Sequence, residues 1–251
     1  MGDKVQNIGH VLDLAERAYT RGIYTYSAFL SIEEQSRVNT ELTKKSRVRF
    51  RFYGGSDASI RKIAIFGDED ELRYEPVLPI AVIKISSASV KFAEELSHRD
   101  YLGAIMNLGI DRANTGDIII KDKTAWLFCL EGIAGYIKDN LTKVRHTDVR
   151  CSICEGDVPE IRPELCELRI NVTSERLDCI CAALISGSRS TAQDLIRDEK
   201  VFVNERCMTN ASCSLKENDI IVIRGVGKFI YDGIESYTKK GRIYILIKKY
   251  V

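Results

Sequence analysis

Apolar and polar positions along the chain change period several times, and each change marks an element. Val5, Ile8, Val11, Leu12, Ala15, Ala18 and Tyr19 recur at helical spacing, and Gly22 ends that run. Ser31, with Glu34 three residues on, has the form of a capping box for a second helix, whose apolar stripe is Ile32, Val38 and Leu42. Strict alternation follows in Arg47-Val48-Arg49-Phe50-Arg51-Phe52. It predicts a strand with one apolar face and three guanidinium groups on the other. That basic row fits either a solvated edge strand or a phosphate backbone. Gly54-Gly55 reads as a turn and Lys62–Phe66 as a further strand.

Between residues 77 and 155 the period alternates in a fixed order. Pro79–Ser86 reads as a strand, and His98–Leu108 as a helix closed by Gly109. Asp117–Lys121 and Thr124–Leu130 are strands joined by an Asp122-Lys123 turn. Gly132–Leu141 is a helix and Val144–Ile153 a last strand. The order β-α-β-β-α-β is the split βαβ arrangement, shared by RNA-recognition folds, enzymes and metal carriers. The aromatic RNA-stacking signature on the third strand is absent. Trp126 and Phe128 share a face of that strand, where they either stack bases or fill a core; core is the preferred reading.

In the last third, Ser174 is placed to cap a helix carrying Leu177, Ile180, Cys181 and Leu184, and Gly187 stops it. Ser188-Arg189-Ser190 open a second helix through Ala192, Leu195 and Ile196. Beyond Lys200, Val201–Val203 is a short strand turned by Asn204-Glu205. Asp219–Arg224 is another strand, and Gly225-Val226-Gly227-Lys228 leads into the next. A helix N-terminus offers backbone N–H groups and partial positive charge. Hydroxyls and a guanidinium added there suit phosphates and 2′-hydroxyls of folded RNA. The structural alternatives are capping by Ser190 and pairing of Arg189 with Asp194 on its own surface.

Composition narrows the classes. A 251-residue chain that is 45% hydrophobic and 29% charged builds real cores and is not disordered. Net charge is +1, divided as +3 from Ile170 onward and −2 before it, so recognition of nucleic acid must rest on local patches. No apolar run approaches the ~18 residues of a membrane span. Met1-Gly2-Asp3-Lys4-Val5-Gln6 has no apolar signal segment, and the cytoplasm is the expected location. Eight cysteines without a signal segment are expected to be reduced thiols. Cys151 and Cys154 form a C-x-x-C, with only Cys166 and His146 as further ligands nearby, so packing is preferred to zinc. Cys179 and Cys181 lie two apart on a helix and cannot share a face.

Three stretches carry a resemblance. Arg176-Leu177-Asp178, Ser188-Arg189-Ser190-Thr191-Ala192 with Leu195-Ile196, and Val201-x-Val203-Asn204 followed by Asn218-Asp219-Ile220-x-Val222-x-Arg224-Gly225-x-Gly227-Lys228 resemble the RNA-binding S4 domain, first known from a small-subunit ribosomal protein. Leu96-Ser97-His98-Arg99-Asp100-Tyr101-Leu102-Gly103-Ala104, Leu108-Gly109-Ile110-x-Arg112 and Gly116-Asp117-Ile118 are similar to the middle domain of the bacterial YlmH family. Gly54-Gly55 fits that family's first domain, with Ser59-Ile60-Arg61 in place of its usual Glu-Arg pair. Glu199-Lys200 replaces the usual Gly after the second S4 helix, and Asn218 replaces the Gly before Asp219. Asn tolerates positive φ, so the second departure is mild.

The resemblance implies a multidomain α+β protein. Its parts are a small α/β N-terminal domain over residues 1–74, an RRM-like middle domain over 75–165, and an S4 domain with a C-terminal strand over 170–251. RNA contacts are expected at Arg176, Ser188, Arg189, Ser190, Gln193, Lys200, Asn204, Arg206 and Lys228. An auxiliary surface is expected at Arg47, Arg49, Arg51, His98, Arg99 and Arg112. Family members are similar to ribosome-quality-control factors that bind the large subunit carrying peptidyl-tRNA. The implied partner is therefore structured RNA, ribosomal or transfer, with no cofactor, metal, membrane or small-molecule substrate.

Enzymes also carry S4 domains, pseudouridine synthases among them, but each adds a catalytic domain. Residues 1–170 contain no phosphate-cradling glycine motif or nucleophile elbow. His98 and Asp100, two apart on a helix, point about 200° apart and cannot easily serve one substrate. Ser97 and Asp100 read instead as helix-start caps, and a non-catalytic RNA binder is expected. An RNA-modifying enzyme and a cell-division adaptor are the alternatives.

Overall fold

The computed structural model describes residues 8–45, 47–89, 94–155, 165–238 and 241–250. The chain divides into two compact units, residues 1–162 and 163–251, so the first two expected domains fall in one unit. Among the described residues no helix is long and apolar enough to cross a membrane.

In the first unit, α1 (Ile8–Arg21) buries Val11, Ala15 and Ala18 of the expected stripe and adds Leu14, while Ile8 and Leu12 are half-buried and Tyr19 is exposed; Val5 lies outside the described residues. Gly22, at φ 61°, closes α1 by donating to the Ala18 carbonyl. β1 (Thr25–Tyr26) precedes α2 (Ile32–Lys45). α2 opens with the expected capping box: Ser31 N–H donates to Glu34, and Glu34 N–H donates to the Ser31 hydroxyl. β2 (Phe50–Tyr53) starts three residues later than the alternation predicts. Just before β2 the Arg49 carbonyl accepts from the Gly67 N–H, in register with the Phe50–Phe66 pair. β3 (Ile63–Phe66), fully buried, is the middle strand between β1 and β2. The one-turn α3 (Glu69–Leu72) was not legible in the sequence, because four residues carry no period.

The same unit continues with β4 (Ile80–Ser87), α4 (His98–Met106), β5 (Thr115–Lys121), β6 (Thr124–Leu130) and α5 (Glu131–Asn140). The strand expected over Val144–Ile153 is instead two, β7 (Lys143–Val144) and β8 (Thr147–Cys154), joined by Arg145-His146. Arg145 takes φ 52° there, a conformation for which the sequence offers no Gly or Asn signal. The strands lie in the order β5-β6-β4-β8-β7. The helix-side face of this sheet, with Ile83, Ile85, Leu127 and Cys129, packs on Tyr101 and Ile105 of α4 and Ile137 of α5.

The other face is also buried. Trp126 and Phe128 pack with Phe29, Ile63 and Ile65 of the N-terminal segment. Gly55 permits this approach: a Cβ there would lie 2.3 Å from the Phe128 ring, and its φ is 95°. A polar latch borders the junction. The Arg61 guanidinium donates to the carbonyls of Phe29, Thr115 and Arg112, and the Ile60 and Arg61 N–H groups donate to Asp117.

The second unit has a six-stranded sheet in the order β11-β10-β12-β13-β14-β9, with two helices. In chain order these are β9 (Leu165–Val172), α6 (Leu177–Leu184), α7 (Arg189–Arg197), β10 (Val201–Val203), β11 (Arg206–Cys207), β12 (Ile220–Ile223), β13 (Gly227–Tyr237) and β14 (Ile243–Tyr250). Asn204 and Glu205 both have positive φ and make the expected two-residue hairpin. β9, which the sequence pattern does not mark, pairs along all of β14 and is itself the edge strand of the sheet. Ile180, Cys181, Ala192 and Ile196 of the helices pack on Val201, Ile221, Ile223 and Ile245.

Phe128 is fully buried between two layers, so Phe128→Ala is expected to cost about 3–5 kcal/mol. Trp126 is the sole tryptophan and 3% exposed. Its emission should be blue-shifted and insensitive to iodide in the wild type, and red-shifted in the variant. A quenchable wild-type signal contradicts this packing.

Candidate nucleic-acid interface

Two of the cations expected at the S4 site, Arg176 and Arg189, are drawn together by one acid, Asp178. The Asp178 side chain is 0% exposed. Its carboxylate accepts from Arg176 Nε and Nη2, both at 3.1 Å, from Arg189 Nε at 2.9 Å and from Gln193 Nε2 at 2.9 Å. Burial alone would raise its pKa. The hydrogen bonds from Arg176, Gln193 and Arg189 outweigh burial and hold the carboxyl well below the usual carboxylate range. The Arg176 and Arg189 side chains stay 37% and 51% exposed. One carboxylate thus fixes two guanidiniums whose remaining donors face outward, leaving a net charge of about +1 in a rigid arrangement. The pairing of Arg189 with Asp194 does not occur: Asp194 binds Arg197 at 2.7 Å.

Local backbone chemistry sets the rest. Ser188, not Ser190, caps α7, accepting from Thr191 N–H at 3.0 Å. Ser190 is therefore exposed beside Arg189, and among the described residues nothing accepts from the N–H of either. Ser174 does not cap α6; the N-cap is Arg176, without a side-chain bond. The Leu177 and Asp178 N–H groups donate instead to the carbonyls of Cys213 and Ala211, so that loop closes the end of α6. At the exit of α6 the left-handed residue is Ser186 (φ 50°), rather than Gly187. α7 ends at Glu199 (φ 57°), where the family pattern has Gly, with Lys200 N–H donating to Leu195 O as in a Schellman motif. Asn218 takes φ 69°, as its substitution for Gly requires.

The other expected contacts disperse. Lys200 pairs with Asp198 at 3.1 Å, roughly 13 Å along α7 from its start. The Asn204 amide donates to Asp219 and accepts from Ile220 N–H, clasping its hairpin. Arg206 is exposed on β11. Lys228 is 4% exposed with its ammonium 4.5 Å from the Tyr250 ring centre, so burial removes it from the interface.

The auxiliary set divides as well. Arg47 and Arg51 are exposed, whereas Arg49 binds Asp68 at 3.2 Å. Arg112 gives one Nη to Thr115 O, Thr115 Oγ1 and Gly116 O, which makes it part of the latch. His98 begins α4; desolvation and then the Arg112 charge lower its pKa. Ser97 and Asp100 form the expected capping box. Arg99 is exposed on the same helix. Cys151 packs on the helix-side core and Cys154 on the opposite one, so the two thiols of the C-x-x-C face different layers.

Residues 78–156 match the family model described as "Putative RNA-binding domain in YlmH", and residues 175–221 match the S4 domain. A protein named "Ribosome-associated protein quality control protein P2" from Bacillus subtilis (strain 168) is 29% identical over 217 residues, covering 85% of this chain and 82% of that protein. A solved structure, "Cell division protein ylmH from Streptococcus pneumoniae", aligns with 59% of this chain and 88% of its own, at 18% identity and a TM-score of 0.47.

Asp178→Asn removes the charge that holds both guanidiniums. It is expected to cost the second unit about 3 kcal/mol at neutral pH. The depressed folded pKa stabilises the unit above the unfolded carboxyl value of roughly 4, and that contribution is lost as pH falls from there toward the folded value. Chemical denaturation of wild type and variant should therefore differ at pH 7 and converge in acid. A gap that stays constant down to pH 2 contradicts the assignment.

Proposed function

We propose that the chain is a member of the YlmH family and a non-catalytic RNA-binding protein that works on the ribosome. The observation that carries this reading is the Asp178-centred pair of guanidiniums beside the exposed start of α7. Preorganised planar donors suit phosphate oxygens, because little side-chain entropy remains to be lost on binding. Ser190 and the first-turn N–H groups of α7 extend the same surface toward a phosphate or a 2′-hydroxyl. Nothing in this constellation activates a nucleophile or positions a general base against a substrate atom.

The large ribosomal subunit is the partner we favour, with ribosomal or transfer RNA as the contacted species. The quality-control name of the Bacillus subtilis relative supports this reading. So does the presence of two RNA-binding family matches on one chain, which suits a large, folded RNA better than a short one. We read the split βαβ middle domain as RRM-like in topology, and the cytoplasm as the place of action.

In sucrose gradients of lysate the protein is expected to travel with large subunits at low salt and to leave them as salt rises, through counterion release. Finding it only in the top fractions at low salt overturns the proposal. Ser190→Glu separates binding from folding. A carboxylate in the first turn of α7 favours the helix by about 0.3–1 kcal/mol, yet it repels phosphate. The variant should melt no lower than wild type and bind ten- to a hundred-fold more weakly, a change of about 1.4–2.8 kcal/mol. Unchanged affinity excludes the start of α7 from the interface.

A further inference from the structure

RNA-recognition folds of split βαβ topology bind through the open face of the sheet, using aromatic side chains. Here that face carries Trp126 and Phe128, and the N-terminal segment covers both. An RNA contact by residues 78–156 must then use another surface. A shallow groove lies on the opposite, helical side, between α4 and the connection from α5 to β7. Arg99, Lys143 and Arg145 line it, with Asn107 and Asn140 at the helix ends. The acids there do not balance the three cations. Asp100 is tied to the Ser97 N–H and hydroxyl and reaches Arg145 only at 3.7 Å, and Asp148 reaches Lys143 only at 4.0 Å.

Two backbone features are otherwise unexplained. Gly103 sits inside α4, where Gly costs about 1 kcal/mol relative to Ala. Packing does not require it, since a Cβ there would meet nothing within 4 Å. The missing side chain leaves helix backbone accessible on the groove floor. Arg145 takes a left-handed φ of 52° in a two-residue turn, a place where Gly or Asn is cheaper, and this aims a cation into the groove.

We infer that the α4/α5–β7 groove is a second RNA site, which binds the sugar–phosphate backbone through Arg99, Lys143 and Arg145, with Gly103 letting the strand approach closely. The inference rests on the RNA-binding reading above and adds the place where the middle domain makes contact. Lysine and arginine donors around a floor that carries Leu108 and Leu141 but no aromatic ring for base stacking favour phosphates over bases, so binding here is insensitive to sequence.

The test uses the full chain and two probes, purified large ribosomal subunits and protein-free ribosomal RNA, titrated across salt. Arg99→Gln, Lys143→Gln and Arg145→Asn are combined; Asn is chosen because it accepts the left-handed turn. The triple variant should bind both probes at least ten-fold more weakly at low salt, and its log–log salt slope should be shallower by about two to three units. Gly103→Ala should raise the melting temperature yet weaken binding about three-fold or more. If wild type binds neither probe, the proposed function falls. If wild type binds, Ser190→Glu weakens binding and the triple variant keeps wild-type affinity and slope, the groove inference alone is wrong. If the triple variant loses affinity for subunits but not for protein-free RNA, the groove holds a ribosomal protein and the inference is overturned.

Discussion

The second unit depends on one carboxylate. Asp178 has no exposed side-chain surface, and four hydrogen bonds from Arg176, Arg189 and Gln193 end on its two oxygens. Removing a single partner from such a group leaves charge buried without compensation, which costs more than a surface contact returns. The same bonds pin α6 to α7 and fix two guanidiniums with their outer edges toward solvent. Under the proposed function stability and recognition share these atoms, and a substitution at Arg189 tests both together. Substitutions at Ser190, which touches none of this network, test recognition alone.

In the first unit the decisive constraint is coverage. A sheet with apolar residues on both faces must be covered on both, and the N-terminal segment supplies the second cover through Phe29, Ile63 and Ile65. Arg61, Arg112 and Asp117 spend their polar groups on this junction, which the packing would otherwise leave unsatisfied. Arg112, expected on an auxiliary RNA surface, is thus part of a structural latch. The cost of that arrangement is loss of the sheet face as a binding platform, while Arg99, Lys143 and Arg145 line the groove on its helical side.

Much of this was legible in the sequence, where period and local chemistry were strong. The capping boxes at Ser31 and Ser97, the Asp122-Lys123 and Asn204-Glu205 turns, and the stripes of α1 and α7 follow from rules that act over a few residues. Positive φ at Asn218 follows from the residue that stands in for glycine. The misses have a common cause, since each depends on contacts distant in sequence. Lys228 reads as a solvent-facing cation after a glycine turn, but its position opposite Tyr250 is set by strand pairing. β9 has no partner until β14 is placed beside it. Asp178 carries no signal beyond its place two residues after Arg176, because its burial is set by α7. Arg145-His146 lacks turn residues, so its hairpin was read as continuous strand.

We propose that RNA meets the start of α7 and the Asp178-held arginines, while the middle sheet stays closed. Ultraviolet crosslinking of the full protein to large ribosomal subunits, with the attached peptides identified by mass spectrometry, tests it most directly. Crosslinks are expected within residues 176–193, and none on the strand Thr124–Leu130 that carries Trp126 and Phe128. Crosslinks on that strand, with residues 176–193 unmodified, would contradict the account.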